Sequence, residues 1–229
     1  MCNRVSPSPW EHGVRTATTG RTTTSATKAG DQVSDRTTTQ RPLRADAARN
    51  RSKILEAAGA AFDASGTEVS LEDVAKAAGV GIGTLYRHFP TRLDLIAAVY
   101  RSSLDAFVAH ADELLAERPA AEALDDWVLS FVDYVIRKRG MASALKAGLG
   151  PDAQQVFAEG RERMLAAASR LVVAAQEQGA IRADVDAGDL MRAVSGVCLA
   201  GSESADREST VRVLRLLLDG LRWSAPAPA

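Results

Sequence analysis

Apolar residues recur at spacings of three and four from Asp46 almost to the end of the chain, and no stretch alternates apolar and polar positions as a half-buried strand would. Ile54, Leu55, Ala58 and Phe62 fall on one face of a first helix, and Gly66 is placed to end it. Ser70 then precedes Leu71-Glu72-Asp73, which reads as a capping box with Asp73 in place of the usual Glu or Gln. Leu71, Val74, Ala75 and Ala78 would face inward from a second helix that stops at Gly79. A short helix from Ile82 to Phe89 follows, Pro90 breaks it, and Thr91 can cap the next. Beyond Arg92 the pattern predicts a long helix to about Glu117, then helices at about 120–139, 141–147, 152–178, 186–200 and 207–222. Arg118-Pro119, Gly140, Gly150-Pro151 and Gly179 punctuate them. The fold class this predicts is all-α, with a three-helix N-terminal domain joined to a larger helical domain.

Composition adds little to that picture, and the distribution of charge adds more. Hydrophobic residues make up 46% and charged residues 25% of 229 positions, which is ordinary for a globular protein. The net charge of −1 hides a split: residues 1–92 hold 13 Lys and Arg against 9 Asp and Glu, and the rest hold 15 against 20. A basic N-terminal part on an acidic body suits a protein with a polyanion at one end. Residues 1–44 read as a disordered leader, since ten of the 24 residues from Thr16 to Thr39 are Thr. Arg36, Arg41 and Arg44 could form a basic arm there, or the segment could be a plain tail, and Val14 or Val33 could mark an alternative start. Residues 224–229, rich in alternating Ala and Pro, read as a frayed tail.

Other classes find no support. Cys2 and Cys198 lie in unlike places and offer neither a disulfide framework nor a metal spacing, which favours a reducing compartment. No run of about 18 apolar residues could span a membrane, and the first 30 residues lack a signal-peptide core, so the expectation is a cytoplasmic protein. His110 is the sole histidine of the larger domain and has no Cys partner; Asp125 and Asp126 are neighbours splayed across a helix surface. No Gly-rich loop follows a strand. The expectation is therefore no enzyme, no cofactor and no metal.

The informative stretch is Ser70 to Phe89, SLEDVAKAAGVGIGTLYRHF. A helix of about eight residues, a Gly-containing turn and a second short helix make a helix-turn-helix, whose second helix would offer its outer face to a major groove. Val80 and Leu85 would lock both helices onto the first through Phe62. Residues 49–95 resemble the N-terminal domain of TetR-family regulators. The resemblance rests on Ile54-Leu55-Glu56-Ala57-Ala58, Phe62, Gly66, Val74-Ala75, Ala78-Gly79-Val80, Gly83 through Phe89, and the spacing to Leu95.

That resemblance implies a DNA-binding domain over 45–91, a helical effector-binding and dimerisation domain over 92–223, and double-stranded operator DNA as a partner. Ser70, or the helix N-terminus it caps, should meet a phosphate. Gly81, Ile82 and Thr84 lie where base edges can be approached, and Thr84 can offer a hydroxyl and a methyl. Tyr86 and His88 look like phosphate contacts. Arg87 could reach a guanine or only the backbone. Arg92 stands where the family usually has Lys and would neutralise a phosphate, whereas Gly81 replaces a frequent Ser, so one hydroxyl contact is missing. Arg49, Arg51 and Lys53 are either phosphate contacts or a solvated face.

In the larger domain Trp127, Phe131 and Tyr134 recur at spacings of four and three. With Phe107, His110, Met141, Leu145 and Met164 they could line an apolar cavity, or they could simply be core. The resemblance implies that such a cavity binds a small, largely apolar effector. The stretch from Trp127 to Gly179 also looks like the regulatory domain of the SbtR-like subgroup. Leu190, Val194 and Val197 on one helix, with Val211, Leu214 and Leu218 on the next, read as a homodimer interface that would form a four-helix bundle. The expected function is a homodimeric repressor released from its operator by the effector. The alternatives are a ligand-dependent activator or a helix-turn-helix used as a protein-interaction module.

Overall fold

The computed structural model describes residues 40–204 and 207–222, with the side chains of 45–200 and 207–222. Expectations about Cys2, Arg36, the leader to residue 39 and the tail over 224–229 lie outside the described residues, as do the side chains of Arg41 and Arg44. The described elements are helical, with no strand among them: α1 (Gln40–Ser65), α2 (Leu71–Ala77), α3 (Ile82–His88), α4 (Arg92–Glu117), α5 (Ala120–Leu149), α6 (Ala153–Glu177), α7 (Ala187–Ser204) and α8 (Arg207–Arg222).

Three boundaries differ from the sequence-based expectation, and the simplest is α7, which runs on to Ser204 instead of ending near residue 200. α1 begins at Gln40, not near Asp46; Pro42 sits in its first turn, where a missing N–H loses no helical bond. α5 runs unbroken through Gly140, so the expected helices at 120–139 and 141–147 are one. A glycine inside a helix costs only about 1 kcal/mol relative to alanine, which the packing of Tyr134, Lys138, Met141 and Leu145 along this helix offsets.

The caps follow the sequence closely. Ser70 accepts from the Asp73 amide at 3.3 Å, but its hydroxyl donates to Glu72 Oε2 at 2.9 Å, so the expected reciprocal box through Asp73 is replaced. The complete capping box lies at the next helix, where Thr91 Oγ1 accepts from the Asp94 amide and Asp94 Oδ2 accepts from the Thr91 amide. Gly79, at φ 68°, makes the turn between α2 and α3 in the left-handed region that a side chain would strain.

Burial divides into two clusters. One gathers Ile54, Phe62, Leu71, Val74, Leu85 and Phe89 of α1–α3 with Leu95 and Tyr100 of α4, Met141 and Leu145 of α5, and Val156 of α6. The N-terminal core therefore does not stop at residue 91 but continues into the long helices. The second runs from Leu104 along α4, through Trp127 and Phe131 of α5 and Leu171 of α6, to Val194 of α7 and Leu214 and Leu218 of α8. α5 passes α4 so closely that a β-carbon on Gly148 would lie 2.8 Å from Leu93 Cδ2, so a larger residue there would displace the Leu93 side chain.

Candidate functional site

The short helix α3 is held by its inner face. Leu85 is fully buried and Phe89 nearly so, while Gly81, Ile82, Gly83, Tyr86 and Arg87 are exposed and Thr84 and His88 half-exposed. Tyr86, 44% exposed, and Ile82, 36% exposed, are large side chains left in water with no intramolecular role that needs them there. Ser70 stands at the N-terminus of α2, half-exposed. Seven of the eight residues singled out for DNA thus have surface on the helix-turn-helix, and its anchors are separate residues.

Arg92 is the eighth, and the structure gives it a different occupation. Its Nη1 donates to the carbonyls of Thr67 and Val69 at 2.8 and 2.6 Å, tying the start of α4 to the loop before α2. Through one guanidinium nitrogen, half-buried Arg92 fastens α4 to the loop that precedes α2. Arg51 lies over the Phe89 ring at 5.3 Å, packed on the domain as well as facing solvent.

Most of the residues expected to line an apolar cavity pack against one another. Phe107 stacks on Trp127 and Tyr134 with centroids 4.8 and 4.7 Å apart and tilts against Phe131 at 5.7 Å; the rings fill one another's space. The Trp127 indole donates to the Phe107 carbonyl at 3.1 Å, satisfying its buried N–H. Met141 and Leu145 belong to the other, N-terminal cluster, Met164 lies at the edge of the second, and His110 pairs with Glu113 at 3.2 Å. Trp127, Phe131, Phe107, Met141 and Leu145 are therefore core, and of the eight expected residues only Tyr134 borders the cavity described next.

That cavity, of about 710 Å³, lies among α4, α5 and α7 and is lined by Tyr100, Tyr134, Val135, Lys138, Arg139, Ala142, Ser143, Lys146 and Leu199. Its inner wall holds the buried Tyr100, Tyr134 and Lys138, and Arg139, Ser143, Lys146 and Leu199 are exposed. Its lining includes three cations, Lys138, Arg139 and Lys146, and no carboxylate, beside the apolar Val135, Ala142 and Leu199. The Tyr134 hydroxyl is buried beside the Tyr100 phenol, and the two affect each other's ionisation. Burial raises the pKa of both. The signal was in the sequence: Tyr134, Lys138, Ala142 and Lys146 recur every four residues, so one helix face is lined by a phenol and two ammonium groups.

Lys138 is 6% exposed and bonds Asp63 Oδ1 of α1 at 3.2 Å, with Arg137 Nε 3.8 Å from the other oxygen. Burial pushes the Lys138 ammonium below the ordinary lysine range, and Asp63 opposes that shift.

The residues expected at a dimer interface are largely inside the chain. Leu190, Val194, Leu214 and Leu218 are 0–4% exposed and Val197 and Val211 pack against the same core. α7 and α8 turn Leu190, Val194, Leu214 and Leu218 toward the chain's own core, while Val197 and Val211 stay partly exposed. The outward side of the pair presents Leu199, Val213 and Leu216 instead, Leu216 at 73% exposure. α8 is fastened to α5 by Arg207–Asp133 at 2.6 Å and Arg222–Asp125 at 2.7 Å. Among the described residues no helix is long and apolar enough to cross a membrane, and no cluster of His, Cys, Asp and Glu could hold a metal.

Comparison with known proteins agrees with this architecture. Residues 54–99 match the family model for bacterial regulatory proteins of the tetR family, and residues 119–223 match that for the C-terminal domain of SbtR-like transcriptional regulators. A TetR transcriptional regulator of solved structure from Streptomyces coelicolor is 42% identical at a TM-score of 0.67, covering 76% of this chain and 99% of that one. A TetR transcription regulatory protein from Mycobacterium vanbaalenii is 37% identical at a TM-score of 0.65, covering 80% of this chain and 100% of its own. An HTH-type transcriptional regulator of Staphylococcus aureus strain USA300 is 34% identical over 111 residues, which is 46% of this chain and 58% of that relative's length. These relatives are regulators of transcription, not enzymes. With both of its folded regions matched and a solved relative aligned along almost its whole length, the chain belongs to the TetR family of DNA-binding transcriptional regulators.

Proposed function

We propose that the protein is a homodimeric repressor whose two α3 helices read an operator and which leaves the DNA when a small molecule occupies the cavity beside α4. The observation that carries this reading is the course of α4. Arg92 at its first turn ties the helix-turn-helix in place, and two turns on Tyr100 reaches the cavity wall, within one unbroken helix. A ligand that prefers one placement of this helix shifts the separation of the two reading heads, and it can lower affinity only by its differential binding to the two placements. Reading heads on adjacent major-groove faces must stand about 34–36 Å apart, so a modest rotation suffices to lose one half-site.

In this reading Ile82, Thr84 and Arg87 meet base edges, and Ser70, Tyr86 and His88 meet phosphates. Leu199, Val213 and Leu216 form the contact with the second copy, because exposed aliphatic side chains on adjacent helices have most to gain from a four-helix bundle. The helical domain beyond residue 92 then serves effector binding and dimerisation.

The test is binding of the full chain to its own upstream DNA at two salt concentrations, beside Tyr86→Ala. Salt-sensitive binding of two chains per site, lost in the variant, supports the reading. If genome-wide selection of DNA fragments recovers no site, the helix-turn-helix serves protein contacts instead. Tighter operator binding upon cavity occupancy would make the protein a ligand-dependent activator or co-repressed regulator.

A further inference from the structure

We propose that Lys138 is a shared cation, held by Asp63 of α1 in this structure and contested by the anionic head of an amphipathic effector in the cavity. The proposal rests on the reading of that cavity as the effector site and names the effector's chemistry and its coupling to the reading head.

Three observations converge on one side chain. Lys138 lines the cavity and at the same time makes a 3.2 Å ion pair with Asp63, which belongs to α1. The residues lining the cavity include the cations Lys138, Arg139 and Lys146 and no acid, a lining whose charge chemistry suits an anion better than a cation. The Tyr134 hydroxyl is buried on the same wall beside the Tyr100 phenol, so the cavity also holds a pair of hydroxyls able to reorient toward a ligand oxygen. Val135, Ala142 and Leu199, with the phenol rings, supply apolar surface for the body of such a molecule, and about 710 Å³ suits a small organic ligand.

The second partner gives the site its consequence. Asp63 directly follows Phe62, which is buried against the helix-turn-helix core, so the Lys138 pair fastens the last turns of α1 to α5. An ammonium drawn toward a ligand carboxylate or phosphate releases that tie and leaves Asp63 with Arg137 at 3.8 Å. Binding and DNA release are then linked through one ion pair, and each weakens the other to the same degree.

The experiment compares decanoate with decanol below their aggregation limits, on the full chain, by calorimetry. Decanoate should bind about tenfold more tightly or better, the margin a charge-assisted contact gives. Asp63→Asn should tighten decanoate binding severalfold and leave decanol unchanged, because the competitor for Lys138 is gone. Lys146→Gln, which does not touch Asp63, should weaken decanoate in both backgrounds. In the unaltered protein, decanoate but not decanol should speed hydrogen exchange in the last two turns of α1, a readout independent of how the variants fold. Equal binding of the two probes, binding of neither, or an Asp63→Asn variant with unchanged decanoate affinity overturns the shared cation. If decanoate binds as described and operator affinity does not move, the anion site at Lys138 stands, but its coupling to the reading head and the effector-released repressor both fail.

Discussion

Arg92, the first residue of α4, donates through Nη1 to the backbone carbonyl of Val69 at 2.6 Å, and through the same nitrogen to Thr67 at 2.8 Å. A side chain at the start of the connecting helix thereby fixes the loop that delivers α2. Arg92→Ala should lower unfolding free energy by on the order of 2 kcal/mol, the range for hydrogen bonds to a charged group. It should weaken operator binding without changing the slope of affinity against salt. Measuring that slope separates the roles, since losing a phosphate contact reduces it by about one.

Tyr86 and Leu85 are adjacent on α3 and should respond oppositely. Leu85 is fully buried, and Leu85→Ala should cost about 2–5 kcal/mol in denaturant unfolding. Tyr86 is exposed, so Tyr86→Ala should leave stability within about 0.5 kcal/mol and reduce operator affinity about tenfold. Unfolding curves and DNA titrations on the same samples check both.

α8 allows the same contrast for assembly. Leu216→Arg should yield a folded monomer in sedimentation, because Leu216 projects away from the core. Leu214→Arg should not fold, because Leu214 is fully buried in the core that α8 shares with α5 and α7. A dimeric Leu216→Arg protein would move the interface elsewhere.

Cys198 sits in the second core, and burial pushes its thiol up to about 11 from an ordinary value of 9.0. A raised pKa in the folded state means a contribution to stability that is whole below pH 9 and lost as pH rises through 11. The unfolding free energy should therefore fall more steeply between pH 9 and 11 than in Cys198→Ala. In a Cys2→Ser background, thiol reagent at pH 8 should label Cys198 only upon denaturation.

The helix-turn-helix was legible because its constraints are local. Gly79 is needed for a positive φ, Ser70 and Thr91 for orphan amides, and Leu85 for the one inward-facing position of the short α3. The cavity was not legible in the same way. Trp127, Phe131 and Tyr134 have the spacing of a ligand-facing stripe and of a core stripe alike, and Phe107 on another helix decides between them by filling the space. Gly140 misled for a related reason, since a helix penalty of about 1 kcal/mol is easily overridden by neighbours far away in sequence.

By itself the sequence determined the all-helical class, the caps and turns, the reading motif and the family, since each follows from residues within a turn or two of one another. Tertiary structure alone decided that Arg92 holds a loop, that Leu214 and Leu218 face inward, and that Lys138 stands between Asp63 and a cationic cavity. An amphipathic helix has a periodicity but no label for what its apolar face will meet. Partners 23 to 75 residues distant along the chain supply that label only when the helices pack.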